Sequence, residues 1–204
     1  MYKKPIIAFE GIEGSGKTLH INNVAAYLKK KGKNFIKIRE PGGSKNSEKI
    51  RKLILNNKSN FNKITDLLLY LAARNENITN VIKKNRGKRI ILIDRFIDST
   101  IAYQHYGMGI DIKFINTINN FLLKNIKVNF TFLHIVNQKN MKLRLSKRKN
   151  LNRYDNFKML FYKRVQSGFI KIADKNKKKY FKINSNLNIS QNKKIVIKQI
   201  NKII

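Results

Sequence analysis

Eight consecutive residues, Gly11-Ile12-Glu13-Gly14-Ser15-Gly16-Lys17-Thr18, constrain this chain's architecture more than any other segment. They satisfy every fixed position of the pattern G-x-x-x-x-G-K-[ST], and their flanks are the ones that pattern needs. Upstream, Pro5 to Glu10 reads as a short buried strand. Downstream, Leu19 to Lys31 carries Leu19, Val24, Ala25 and Leu28 at helical spacing. A glycine turn between strand and helix wraps backbone N–H groups around an anion, and the helix start adds a positive dipole end. Lys17 is expected to reach the outer phosphates of a nucleotide, and the Thr18 hydroxyl to hold magnesium. Gly11 to Thr18 is therefore the expected ATP-binding segment.

The rest of the chain alternates apolar strands with helical patterns. Strands are expected at Phe35 to Arg39, Arg89 to Asp94, Val128 to Val136 and Tyr180 to Ile183. Helices are expected at Ser47 to Asn56, Thr65 to Lys84, Ile112 to Lys124, Met141 to Arg148, Phe157 to Ala173 and Ile195 to Ile204. Near-continuous apolar runs such as Ile90 to Ile93 suit strands buried on both faces. The order predicts an α/β, three-layer P-loop NTPase fold: a five-stranded parallel sheet with helices on both faces. Only two prolines and no Pro/Gly/Ser-rich stretch predict one domain over residues 1–204.

Composition narrows the setting. With no cysteine, disulfides and thiolate metal sites are excluded, which fits a reducing cytoplasm. No apolar run reaches the roughly 20 residues of a membrane span. The N-terminal apolar run, cut by Glu10, is too short for a signal peptide. The formal charge of +34 invites a nucleic-acid partner, but the lysines punctuate every element instead of forming a stripe. Lys, Asn and Ile share A/T-rich codons, so drift in base composition accounts for the charge without a specific nucleic-acid partner. The charge is still expected to attract polyanionic nucleotides.

A phosphate loop alone does not separate a kinase from a GTPase, a motor or a partitioning ATPase. Asp94-Arg95 closes the third strand at the carboxyl edge, where open α/β sheets bind ligands. Asp94 can orient magnesium and Arg95 can clamp a second phosphate. A plain strand-end ion pair is the other reading of that dipeptide.

Further blocks carry a resemblance. They are Glu10 to Thr18, Arg39-Glu40-Pro41-Gly42-Gly43, Ala72-Ala73-Arg74 and Asp94-Arg95-Phe96-x-x-Ser99-x-x-Ala102-Tyr103-Gln104, then Phe161 to Val165 ahead of Gly168-Phe169. In this order and spacing they resemble the thymidylate kinases, of the bacterial type with basic residues in the lid. The resemblance implies magnesium-dependent transfer of the ATP γ-phosphoryl group to dTMP, giving dTDP on the way to dTTP. It also implies a homodimer, formed here through Thr65 to Lys84 and Thr100 to Tyr106. Glu13 is similar to the family's acidic residue at the 3′-hydroxyl and the magnesium shell. Arg39 and Arg95 would grip the dTMP phosphate, with a cis peptide bond before Pro41. Tyr70 and Arg74 lie one helical turn apart, so they share a face. By resemblance Tyr70 stacks on thymine and Arg74 bonds the base, with Thr100 and Gln104 at the base edge. Tyr103 would crowd a ribose 2′ position.

The family takes cations from the phosphate loop in one subtype and from a lid in another. This loop has no basic residue at its variable positions, so the resemblance implies that a lid at about Ser146 to Asn156 supplies them. Arg144, Lys147, Arg148, Lys149 and Arg153 lie in or beside it, with Arg148 and Arg153 expected to act alongside Lys17, Glu13 and Arg95. Lids of this type usually read D-R-[FYI]-E, whereas this one reads Asn152-Arg153-Tyr154-Asp155, and Gln166 stands where an arginine is frequent. His20, His105 and His134 have no metal-like spacing and are expected to be structural or solvent-facing. Three further readings stay open: a kinase for another nucleoside monophosphate, a nucleotide-regulated nucleic-acid-binding ATPase, and a non-catalytic nucleotide binder.

Overall fold

The computed structural model describes residues 4–204. Strands β1 (Ile6–Gly11), β2 (Phe35–Arg39), β3 (Ile90–Asp94), β4 (Phe130–Ile135) and β5 (Tyr180–Asn184) form one parallel sheet. Their order is β2-β3-β1-β4-β5, and helices cover both faces as expected. Strand β1 is central, so connections leave it toward opposite edges and open a crevice at its carboxyl end. The phosphate loop and Asp94-Arg95 meet there.

The period-two alternation of β1 explains the layering. Ile7 and Phe9 pack with Val24 and Leu28 of α1 (Lys17–Lys30) and with Val196 and Ile200 of the C-terminal helix. Ile6 and Ala8 point the other way, into a cluster with Ile78, Ile82 and Phe96. Both faces of β1 and β3 are covered, whereas edge strands β2 and β5 are half-buried.

The other helices are α2 (Lys45–Leu55), α3 (Lys63–Asn77), α4 (Lys83–Asn85), α5 (Ile97–Thr100), α6 (Ile112–Leu123), α7 (Gln138–Ser146), α8 (Met159–Lys175) and α9 (Ile189–Ile203). Two of them, α7 and α9, start three or more residues earlier than apolar periodicity predicts. The Asn137 side chain caps α7 by accepting from Asn140 N, and Asn188 caps α9 by accepting from Ser190 N. Their first turns are polar, so the caps, not an apolar stripe, set the starts. The helix expected at Thr65 to Lys84 is α3 and α4 joined by a π-helical stretch, Ile78–Ile82. A second π-helical stretch, Ile101–Gly107, follows α5 and carries Tyr103 and Gln104. It packs closely on α8, where a Cβ at Gly168 would lie 2.5 Å from Tyr106 Cδ2.

A column of rings rises through β1 and β4 to the underside of the phosphate loop. Phe132 stacks on Phe9, Phe9 on His134, and His134 on His20 at 5.3 Å. Neither His134 nitrogen has a hydrogen-bond partner among the described residues. Burial, with His20 and Lys17 nearby, pushes the His134 imidazole down to about 3. Between about pH 6.5 and 3 the unfolded chain takes up a proton at His134 that the folded chain refuses. Stability is therefore full above pH 6.5 and falls as pH drops, by at most about 1.4 kcal/mol per unit. His134→Leu is expected to remove that slope. In urea unfolding it should gain about 2 kcal/mol on the parent at pH 4.5 relative to pH 7.5; parallel pH profiles would contradict this.

Candidate active site

The phosphate loop is held open by left-handed glycines, Gly14 at φ 67° and Gly16 at φ 88°, the latter immediately before α1. Gly11 is required for a different reason: a Cβ there would come within 2.4 Å of His134 O. Lys17 is buried and donates from Nζ to Ile12 O at 2.8 Å and to Ser15 Oγ at 3.4 Å. Burial, and then the nearby Arg95 charge, push its ammonium down to about 7. No carboxylate pairs with it directly among the described residues. Arg144 braces the loop from outside, donating to Gly14 O at 2.9 Å and to Ser185 O at 2.6 Å.

At the end of β3, Arg95 has φ 66°, which turns its side chain back over the loop. Its guanidinium donates to Gly11 O at 2.9 Å and to Glu13 Oε1 at 2.7 Å, and lies 5.1 Å from the Tyr103 ring centroid. The Tyr103 hydroxyl donates to the other oxygen of Glu13. Glu13, Arg95 and Tyr103 thus form one triad beside the phosphate loop. Thr18 Oγ1 donates to Asp94 Oδ2 at 2.8 Å. A hydroxyl and a carboxylate at the foot of a phosphate loop are the oxygen donors magnesium takes, and few protein ligands suffice beside nucleotide phosphates. These residues fit the metal.

A cavity of about 220 Å³ links the two halves. Twelve expected residues line it: Glu13, Lys17, Thr18, Arg39, Tyr70, Arg74, Asp94, Arg95, Thr100, Tyr103, Gln104 and Arg148. Arg39 pairs with Glu48 at 3.0 Å at the cavity's edge. At the far end Arg74 is 2% exposed and committed to the wall. Nε meets Glu40 Oε2 at 2.8 Å, Nη1 meets Asn119 Oδ1 at 2.8 Å, and Nη2 meets Phe96 O at 2.9 Å and Thr100 Oγ1 at 2.8 Å. Of its five N–H donors a single Nη1 hydrogen is left for a base. The Thr100 hydroxyl, accepting from Arg74, keeps its own hydrogen free. Gln104 is buried, and its Nε2 has no partner among the described residues, so the cavity wall holds a further donor that awaits an acceptor.

Residues 9–196 match the family model described as Thymidylate kinase. The thymidylate kinase of a Sulfurihydrogenibium species is 41% identical over 193 residues, 94% of either chain. That of Thermosipho africanus is also 41% identical, over 168 residues, 82% of this chain and 83% of its own. The crystal structure of the thymidylate kinase from Ehrlichia chaffeensis superposes with a TM-score of 0.79 at 33% identity, covering 97% of this chain and 98% of its own. The chain belongs to the thymidylate kinase family. That family phosphorylates dTMP to dTDP with ATP.

The kinase's lid is more tightly built than its altered motif suggests. Asn152 and Asp155 form a capping box for the 3-10 turn Arg153–Asn156, and Arg148 pairs with Asp155 at 2.5 Å. The shortened acid thus reaches its partner because asparagine caps the turn that carries it. The structure does not bring Arg153 to the cavity. Its guanidinium pairs with Asp66 on α3 and donates to Ile54 O at 3.1 Å, packed on the rings of Tyr154 and Phe61. Asp66 also accepts from the Tyr154 hydroxyl, so one buried carboxylate fastens the lid to α3. Gln166, in place of the frequent arginine, makes a two-way bond to Val136 N and O, each at 3.0 Å.

Arg51 lines the kinase's cavity beside Arg39 and Arg95 and escaped sequence reasoning. It donates to Pro41 O at 2.6 Å, under the cis Glu40–Pro41 bond. Burial, and then the nearby Arg39 charge, lower its pKa from the usual guanidinium range, so an anion placed there would relieve the crowding of like charges. Among 45 basic residues a helical arginine carries no signal of its own. Its only clue is proximity to the R-E-P-G-G block.

Proposed function

We propose that this chain transfers the γ-phosphoryl group of Mg-ATP to dTMP through the cavity just described. The observation that carries the reading is the convergence of Lys17, Arg39, Arg51, Arg95 and Arg148 on one small cavity that Gln104 also lines, its amide nitrogen without a partner among the described residues. Phosphoryl transfer needs positioning and charge neutralisation more than covalent help. Lys17 meets the outer phosphates of ATP, held by the loop from Gly11 to Thr18. Thr18 and Asp94 would hold magnesium, which would supply neutralisation of phosphate charge. Arg39, Arg51 and Arg95 receive the acceptor phosphate, the first by exchanging Glu48 for it. Arg148 reaches across from the lid to the phosphoryl group in transit.

Glu13 orients Arg95 and Tyr103 and accepts from the sugar 3′-hydroxyl. Tyr70, set edge-on to Tyr154 at 5.8 Å, offers a ring face to the base. Gln104, Thr100 and the last Arg74 hydrogen read its edge. Tyr103, pinned by Glu13, excludes a 2′-hydroxyl by sterics. We further propose a homodimer and a cytoplasmic setting. The dimer is supported by Ile64 and Leu68 on α3 and Phe114 and Phe121 on α6, all exposed. No helix among the described residues is long and apolar enough to cross a membrane.

The test is ADP release from Mg-ATP with dTMP, dUMP, dCMP, AMP or DNA added separately. Stimulation by dTMP above all others is expected, and Gln104→Leu should raise KM for dTMP at least tenfold with kcat less affected. Stimulation by DNA and indifference to dTMP would reverse the reading.

A further inference from the structure

The kinase has a second cavity, of about 330 Å³, with no place in the reaction. It lies between α6 and the turn from α8 into β5, over Ala8 of β1 and Thr131 of β4. Its wall meets the active cavity twice. Phe96 lines both, and Asn119, which lines the second, accepts from Arg74, which lines the first.

The chemistry of the lining is graded from inside to mouth. Leu123 and Ile126 supply flat apolar surface, and Thr131 a buried hydroxyl. Asp98 accepts from the Tyr180 hydroxyl at 2.8 Å through Oδ2, leaving Oδ1 without a partner among the described residues. Asn119 is 2% exposed, and its Nδ2 has no partner among the described residues. A buried amide is rarely left so, and a free donor and a free acceptor lining one cavity suit the edge of a heterocyclic base. At the mouth stand three exposed ammonium groups, Lys124, Lys127 and Lys179. Apolar faces, a donor–acceptor pair inside and cations at the rim together describe a base attached to a phosphate.

We infer that this cavity binds a nucleoside phosphate, base inward and phosphate on the lysine rim, and that its occupancy is felt at the active cavity through Asn119 and Arg74. Engaging Asn119 Nδ2 moves the amide whose Oδ1 holds Arg74, and with it the Thr100 hydroxyl at the acceptor's base. The coupling has to be reciprocal, since it is a free energy shared between two sites. Binding stands on the cavity alone, and only the coupling rests on the proposed transfer to dTMP.

The experiment first saturates the active cavity with a dinucleoside pentaphosphate joining adenosine to thymidine, then titrates dTTP, dCTP, ATP and inorganic phosphate separately by calorimetry. One further equivalent of nucleotide per chain is expected. Its affinity should fall at least tenfold in Asn120→Trp, which plugs the mouth from an exposed position, and in Lys124→Glu/Lys127→Glu/Lys179→Glu. Both variants should keep the parental kcat in the absence of added effector. The bound nucleotide should shift KM for dTMP at least threefold in the parent and not in Asn120→Trp. Absence of further binding, or binding unchanged in both variants, would overturn the site. Inorganic phosphate binding as tightly as every nucleotide would overturn base recognition, and an unshifted KM would overturn the coupling. Failure of the pentaphosphate to bind at the first step would instead count against the proposed reaction, so the two failures are distinguishable.

Discussion

Replacing Lys17 with methionine is expected to lower kcat by about 10²–10³-fold while leaving the fold at least as stable. The first half follows from position. Lys17 is the one cation inside the phosphate loop, and loss of a preorganised charge facing the transferring oxygens costs about 2.7–4 kcal/mol of transition-state stabilisation. The second half follows from burial. The ammonium is buried, bonded among the described residues to Ile12 O and Ser15 Oγ, and its pKa is pushed down to about 7, so the fold bears a cost in holding it there. Methionine fills the same space without that cost. Rates at saturating ATP and a urea midpoint for the same preparation check both halves. A kcat within tenfold of the parent would remove Lys17 from the transition state, and a large loss of stability would make it a structural residue.

Arg74→Ala is expected to fail in the opposite way, through the fold. Its guanidinium is the partner that makes a buried Glu40 carboxylate tolerable, and it also satisfies Asn119, Phe96 O and Thr100. Burial still raises the Glu40 carboxyl above its usual range despite that partner. Removing one member of a buried ion pair costs about 3–5 kcal/mol, because the other is left charged and dry. Replacing both at once, as Arg74→Met with Glu40→Gln, should cost markedly less than the sum of the single changes. Arg74→Lys keeps a charge but loses the fork, and should behave closer to alanine than to the parent. Urea unfolding of the parent, Arg74→Ala, Arg74→Lys, the double variant and its two single changes decides it. A loss below about 1 kcal/mol for Arg74→Ala, with a steep rise in KM for dTMP, would make Arg74 chiefly a base contact instead.

These two residues show where the sequence was legible and where it was not. The phosphate loop, the β/α alternation and the Asp94-Arg95 strand end could be placed from local pattern, because each depends on neighbours within a few residues. Arg74 could be placed at the cavity, but its partners Glu40, Phe96 with Thr100, and Asn119 come from three other parts of the chain. No local pattern reports how many of its donors they take. Arg153 was misplaced for the same reason. Its partner Asp66 lies 87 residues away, on α3. The asparagines had been dismissed with the lysines as compositional drift, yet Asn62, Asn137, Asn152 and Asn188 each cap a helix or turn. The altered lid motif holds together through one of them. The His20–His134 stack had no sequence signal, since it joins the start of α1 to the end of β4 across the strand register.

The most direct test follows the label from γ-³²P ATP in the presence of magnesium and dTMP, with products separated chromatographically. The account predicts label in dTDP, formed in step with ADP and abolished by Lys17→Met. Label appearing in inorganic phosphate instead, at a rate indifferent to dTMP, would show hydrolysis without transfer and contradict the central claim.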